Sequence, residues 1–428
     1  MGKQKIHRVG AVLRIEALAT LERISEIKLM TRTRENLLIL TLTLVSFVLG
    51  TTEYVIVGVL KEIESYMKVS LAAAGALVSG FAIAYAVGTP FAVASLAKIS
   101  RRSSILIGFA IVLVLNLLTV FSTTFPSLMA IRIVSAVACG LTISLSISIA
   151  NDAVHQERRG EAIAWILGGF SIANVLGVPL GTFIGQHLNW SMTFVVTACI
   201  GVIPFVFMFR ILPRRTTTVT GSFGDQMVLF MKPRIWLACL IPVLGNSCIF
   251  VTFTYITPLL SESMGVPVRW ISAILLIYGA CSILSNWIGA KIAKGDFLPK
   301  LKWLFVIQAV IFLGLSFAVS NLWLGLTFLL LIGCLSSSMS AASQLYLFDV
   351  SGSIAPESKA FASTLLPVAA NVGIALGSGV GGLAVNLGGV AWVPPVAVVL
   401  ALLAFAITKI CQRTIQLNAD EATTSNAA

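Results

Sequence analysis

The chain has 428 residues, of which 57% are hydrophobic and 11% charged, with 29 Lys and Arg against 17 Asp and Glu. Soluble domains carry about a quarter charged residues, so the composition excludes a soluble globular protein and indicates an all-α membrane protein. The net charge of +12 does not imply a nucleic-acid partner, because the cations of membrane proteins collect in the loops of one side.

Residues 1–34 form a basic N-terminal leader in which Val12, Leu13, Ile15, Leu18, Leu21, Ile24 and Ile27 recur at roughly helical spacing. That pattern fits an interfacial amphipathic helix. Arg14, Glu16, Glu22 and Arg23 interrupt it, which excludes a secretory signal. Met30, followed by Thr31-Arg32-Thr33-Arg34, equally reads as an alternative start that makes the leader dispensable.

A bilayer crossing needs about 20 apolar residues. Apolar runs fall at 36–60, 71–96, 103–121, 127–150, 161–186, 190–211, 235–261, 269–292, 302–320, 322–348, 360–386 and 390–410. These twelve runs predict twelve transmembrane helices in two six-helix bundles, 35–211 and 235–410. A central loop, 212–234, joins the bundles, and a tail, 411–428, follows. Only Lys61, Lys68 and Arg269 fall in the loops of one side, and Arg132 lies inside a run; the other Lys and Arg fall in the leader, the tail and the loops of the opposite side. Both termini are therefore expected in the cytoplasm of a cell-membrane protein.

A shift of about 200 residues aligns the halves. Gly58-Val59-Leu60 falls on Pro258-Leu259-Leu260, and Gly169, Ala173 and Gly177 fall near Gly373, Gly377 and Gly381. Such internal symmetry marks repeat-built transporters.

Gly50-Thr51-Thr52-Glu53-Tyr54 places a carboxylate inside the first run. At about 1.5 Å per residue, Glu53 lies roughly 10 Å inside the end of its span and Arg132 roughly 8 Å inside the same end of span 4. Charges in the hydrocarbon are costly and by default functional. Mutual pairing or a shared water-filled cavity is the cheapest arrangement for both, with proton handling as the functional reading and a permanent structural ion pair as the alternative. In span 5, Gly169, Ala173, Gly177 and Gly181 form a small-residue stripe suited to close helix packing, and Pro179 leaves a carbonyl without its usual donor. The loop after span 2 runs from Gly88 through Lys98, Arg101 and Arg102.

In span 7, Asn246, Phe250, Phe253, Thr254 and Thr257 share one face. That face is either part of a cavity for a small amphipathic ligand or ordinary packing. Tyr54, Asn174 and Asn371 are assigned with it to the substrate cavity. Asn174, Asn286, Gln344 and Asn371 are each either an interhelical hydrogen bond or a substrate contact.

Enzymatic readings fail on residue supply. There is no His-Glu-x-x-His, no phosphate loop and no nucleophile elbow. His7, His155 and His187 lie in the leader or loops, and the seven Cys have no Cys-x-x-Cys spacing. No enzyme activity, metal or cofactor is expected, and without a phosphate loop an ion gradient is the remaining energy source.

These residues resemble the major facilitator superfamily over 35–410. Arg132 with Gly140 resembles its fourth-span arginine motif, which implies proton coupling, and Gly169 to Gly181 resembles its fifth-span antiporter motif. Gly50 to Leu60, Thr254 to Leu260 and Asn371 to Gly377 are similar to the arabinose-efflux-permease-like branch of the twelve-span drug/proton antiporters. The resemblance implies a gating role for Gly88, Lys98, Arg101 and Arg102, although Ala97 stands where the family carries an Asp. Span 10 lacks an arginine equivalent to Arg132. The expectation is a monomer that exports a small organic solute, such as a drug, sugar or nucleoside-like molecule, in exchange for protons. A proton-coupled importer or a non-transporting sensor is the alternative.

Overall fold

The computed structural model describes residues 32–96, 99–213, 233–354 and 359–427; the leader up to residue 31, most of the central loop, Ala97 and Lys98 lie outside the described residues. The long helices are α1 (Arg32–Gly58), α2 (Leu71–Ser95), α3 (Arg101–Leu118), α4 (Phe125–Ala153), α5 (Arg159–His187) and α6 (Met192–Ile211) in the first half. The second half contains α7 (Pro233–Phe253), α8 (Val268–Ile292), α9 (Phe297–Ala318), α10 (Leu322–Gly333), α11 (Ser340–Ile354), α12 (Lys359–Gly388) and α13 (Val393–Ala427). Among the described residues, eleven helices are long and apolar enough to cross a membrane; α10 is a shorter apolar helix. Large apolar side chains such as Ile83, Phe207, Ile283 and Phe317 face outward, as a lipid-embedded surface requires, and the chain is a multi-pass membrane protein.

The structure corrects three expected segments. The run 322–348 is broken between Gly333 and Ser340. There the Ser336 and Ser338 hydroxyls donate to the carbonyls of Gly333 and Leu335, Gln308 donates to Leu335 O, and the Ser337 N–H donates to Ser285 Oγ at 2.8 Å. Serine side chains compete with helical bonding, and non-helical backbone at membrane depth persists where protein satisfies it. The run 235–261 likewise bends after Phe253 and resumes as one helical turn, Ile256–Pro258. The expected tail is not separate, because α13 continues through it to Ala427.

Within the first half α1 lies along α5, α2 and α3 pack on α4, and α6 joins α1 and α3. Within the second, α7 lies along α12, α13 packs on α7 and α9, and α11 contacts α7 and α12. The halves meet through α2 with α12 and α5 with α8. Two apolar cores each belong to one half. A third is shared, joining Val55–Ile63 and Leu71–Ala82 to Cys248–Leu260, at the end of the molecule opposite the termini. At that end Thr257 donates to Val57 O, Lys61 contacts Ser261 and Glu262, and Ser272 donates to Gln186. The molecule is thus fused at that end.

Candidate functional site

The two membrane-depth charges come together, but not as an ion pair between side chains. The Arg132 guanidinium donates to the backbone carbonyls of Thr52 and Glu53, the latter at 3.1 Å. It also stacks on Phe81, 4.2 Å from the ring centroid. Arg132 is 2% exposed and Glu53 6%. Glu53 Oε1 has no hydrogen-bond partner, and neither has Arg132 Nε. Asn116 holds the neighbouring Thr52 hydroxyl at 2.9 Å. A planar fork reaching two successive carbonyls clamps α4 onto α1 and leaves the carboxylate beside it uncommitted.

The small-residue stripe of α5 forms the α1 contact. A Cβ on Gly169 would strike the Thr43 carbonyl, one on Gly177 would press on Thr51, and one on Gly181 would strike Val55. Ala173 is fully buried against Gly50, and Pro179 is buried within α5. The second half repeats the arrangement, since a Cβ on Gly373 would strike the Val243 carbonyl and one on Gly377 the Ser247 backbone. Thr43 and Val243 are 200 residues apart, so the sequence repeat is also a packing repeat.

Of the expected gating residues, Gly88 packs on Val137 of α4, Arg101 pairs with Asp152 at the end of α4, and Arg102 donates to the carbonyls of Phe209 and Leu212 at 2.6 and 2.8 Å. All these contacts stay within the first half. Lys98 lies outside the described residues.

A cavity of about 110 Å³ opens between the halves, lined by Tyr54, Phe170, Ser171, Asn174, Ser282, Asn286 and Ser337. Tyr54 and Asn174, two of the residues assigned to a substrate cavity from the sequence, are part of this lining. The face of α7 assigned with them is not. Phe250 backs Tyr54 at 6.2 Å, Phe253 stacks on Tyr278, Thr254 bonds Ser378, and Thr257 bonds Val57 O. Asn246 and Asn371 each donate to the carbonyl four residues earlier, and Asn371 Oδ1 is buried without a partner. Phe253, Thr254 and Thr257 thus make contacts between helices, whereas the amides of Asn246 and Asn371 bond within their own helices. Phe170, Ser171, Ser282 and Ser337 were missed because the lining is drawn from separate helices. Asn286 was flagged only as an intramembrane amide.

A second polar cluster was also missed. Glu35, 1% exposed at the start of α1, accepts from the His155 backbone, pairs with the His155 ring and takes Arg158 at 3.2 Å. Its only sequence signal was an acid in the first turn of an apolar helix. Among the described residues no group of His, Cys, Asp and Glu is arranged to hold a metal.

A bundle of apolar helices surrounding a central polar cavity, with a buried acid and arginine beside it, defines a membrane transport protein. The chain belongs to the Major Facilitator Superfamily, whose family model matches residues 42–353; the members of this family are transporters and not enzymes. It is 31% identical over 369 residues to an uncharacterised MFS-type transporter, YtbD, of Bacillus subtilis (strain 168), covering 85% of this chain and 93% of that one. It is 31% identical over 252 residues to a chloramphenicol resistance protein of Streptomyces lividans, covering 57% of this chain and 64% of that one. Its fold matches the crystal structure of a bacterial homologue of the human lysosomal transporter Spinster in an inward-facing, unoccupied conformation. The TM-score is 0.71 at 17% identity, covering 90% of this chain and 98% of that chain.

Proposed function

We propose that the protein is a secondary active transporter that exports a small organic solute in exchange for protons by alternating access. In this reading the two halves are six-helix bundles, α10 and α11 are the two parts of a twelfth crossing, and both termini are cytoplasmic. The fused end then faces outward and the cavity opens toward the cytoplasm, where an exporter loads. The chain acts as a monomer, and Arg101 and Arg102 brace the cytoplasmic end of the first bundle. The likeness to a protein named for chloramphenicol resistance favours export over import.

The observation that carries the reading is Glu53: a buried carboxyl with an unbonded oxygen, next in sequence to Tyr54, which lines the cavity. A carboxyl that gains or loses contact with Arg132 and water as the bundles rock takes up and releases a proton. One elementary charge moving through about 100 mV gains about 2.3 kcal/mol, and each pH unit adds about 1.4 kcal/mol. About 2.8 kcal/mol sustains a hundredfold solute gradient, so one proton per solute suffices.

Everted vesicles carrying a luminal pH dye test this. Added substrate should release protons from the lumen, and Glu53→Gln should abolish gradient-driven transport while retaining substrate binding. Full active transport by Glu53→Gln sinks the proton-carrier role, and proton movement in the same direction as substrate points to import instead.

A further inference from the structure

The cavity between the halves has a wall of unusual uniformity. Seven side chains line it, and none carries a formal charge. Tyr54 and Phe170 meet edge to face with centroids 6.5 Å apart, giving one aromatic side. The rest of the lining is the hydroxyls of Ser171, Ser282 and Ser337 and the amides of Asn174 and Asn286. The formal charges nearest in the chain are not part of the lining: Glu53 is buried, and the guanidinium of Arg132 is engaged by two carbonyls and the Phe81 ring.

One hydroxyl of this wall is spent within its own helix, Ser282 donating to the carbonyl of Gly279 at 2.6 Å; other polar groups of the wall keep capacity for a ligand. Asn174 Oδ1 has no hydrogen-bond partner. Ser337 uses its backbone N–H, not its hydroxyl, to reach Ser285. A buried polar atom without a partner costs about 1–3 kcal/mol, so the amide oxygen of Asn174 in this lining favours a ligand that donates to it.

Resting on the reading of this cavity as the substrate site, we infer that it takes an uncharged molecule presenting one flat apolar ring and amide or hydroxyl groups, and rejects ions of the same shape. The cavity volume of about 110 Å³ holds about one small ring, since an apolar cavity of roughly 150 Å³ takes a benzene. The rest of the molecule extends toward the open side. An ion placed here gives up its water without meeting an opposite charge, at several kcal/mol. A neutral amide exchanges its water for the five polar side chains at little loss. The exchange of one such neutral solute for one proton then moves a net charge, so a membrane potential alone drives it.

Benzamide, benzoate and benzamidinium share a ring and an outline and differ in charge. Thermal unfolding of the purified full-length protein in detergent is followed against each. Benzamide should raise the unfolding temperature saturably, with half-saturation at least tenfold lower in concentration than for either ion. An ion that stabilises as well as benzamide, or no stabilisation by any of the three, overturns the inference. The second variant places a carboxylate in the wall. In Asn174→Asp, or Asn286→Asp where the former does not fold, benzamidinium should overtake benzamide, and an unchanged order of the three also overturns it. Failure here is separable from failure of the export reading. Charge selectivity without proton-driven export defeats the export reading alone, and proton-coupled export with an ion-binding cavity defeats this inference alone.

Discussion

Thr257 donates a hydrogen bond to the carbonyl of Val57, its counterpart in the other half 200 residues earlier. Lys61 reaches Ser261 across the same interval. When two repeats are related by a twofold axis, corresponding positions touch each other only beside that axis. Corresponding positions of the two halves therefore meet at the fused end, and any opening of that end must break these contacts together.

The two kinds of contact at this seam differ in strength. Lys61 and Glu262 lie 2.9 Å apart with both side chains more than two-fifths exposed, and exposed pairs contribute roughly 0–1 kcal/mol. Thr257 is 2% exposed, and removing its hydroxyl leaves a buried carbonyl short of a donor at about 1–3 kcal/mol. Hydrogen exchange over 254–264 should accelerate by no more than about fivefold in Glu262→Gln and by more than that in Thr257→Val. The opposite order would show that the ion pair holds the seam.

The same seam should respond to pH. Burial pushes the carboxyls of Glu62 and Glu64 above the usual range, Glu64 further through the charge of Glu262, while Lys61 opposes both shifts. A closed state that raises a carboxyl's pKa binds its proton more tightly than an open state exposing it to water. Stability of the closed seam therefore rises as pH falls toward and through these raised values, and is lost as pH rises above them. Protection of residues 60–67 from hydrogen exchange, corrected for intrinsic rates, should increase on acidification from neutral pH, and Glu64→Gln should reduce that increase. A protection that falls on acidification contradicts the sign.

At the buried end of α1, Arg132→Lys keeps the charge and loses the fork, since an ammonium is a point charge that cannot span two carbonyls in a fixed plane. One charged hydrogen bond is lost, at about 1.5–3 kcal/mol. Thermal unfolding of Arg132→Lys should show a clear fall in midpoint, and proton-driven transport should fall with it. A variant as stable as the parent would show that the two carbonyl contacts do not clamp α4 onto α1.

Much of this was legible in the sequence because it is local or periodic. Run lengths place eleven of the helices, and the small-residue stripe of α5 names the surface that α1 covers. The depth of Glu53 and Arg132 follows from counting residues. What escaped depends on tertiary choice. Depth cannot tell a carboxylate from a backbone carbonyl as the partner of Arg132. Hydropathy does not register the break at Ser336 to Ser338, because three serines in an apolar run change the average little while their hydroxyls and a distant Ser285 take over the backbone bonding. Phe253, Thr254 and Thr257 share a helical face with polar and aromatic character. That face meets Tyr278, Ser378 and Val57, and one sequence period cannot distinguish such neighbours from an open cavity.

The packing repeat makes a paired prediction with built-in controls. A methyl group at Gly169 or Gly373 would meet a backbone carbonyl, Thr43 O in one half and Val243 O in the other, whereas at Gly168 or Gly379 it would meet open space. Backbone cannot step aside as a side chain can, so Gly169→Ala and Gly373→Ala should each destabilise by about 1–3 kcal/mol through overpacking. Gly168→Ala and Gly379→Ala should be neutral or stabilise by up to about 1 kcal/mol through helix propensity. Thermal unfolding of the four variants in the same detergent checks this, and the two destabilised ones should match each other more closely than either matches the control in its own helix. Similar midpoints for all four would mean that α1 and α7 do not sit at these glycines.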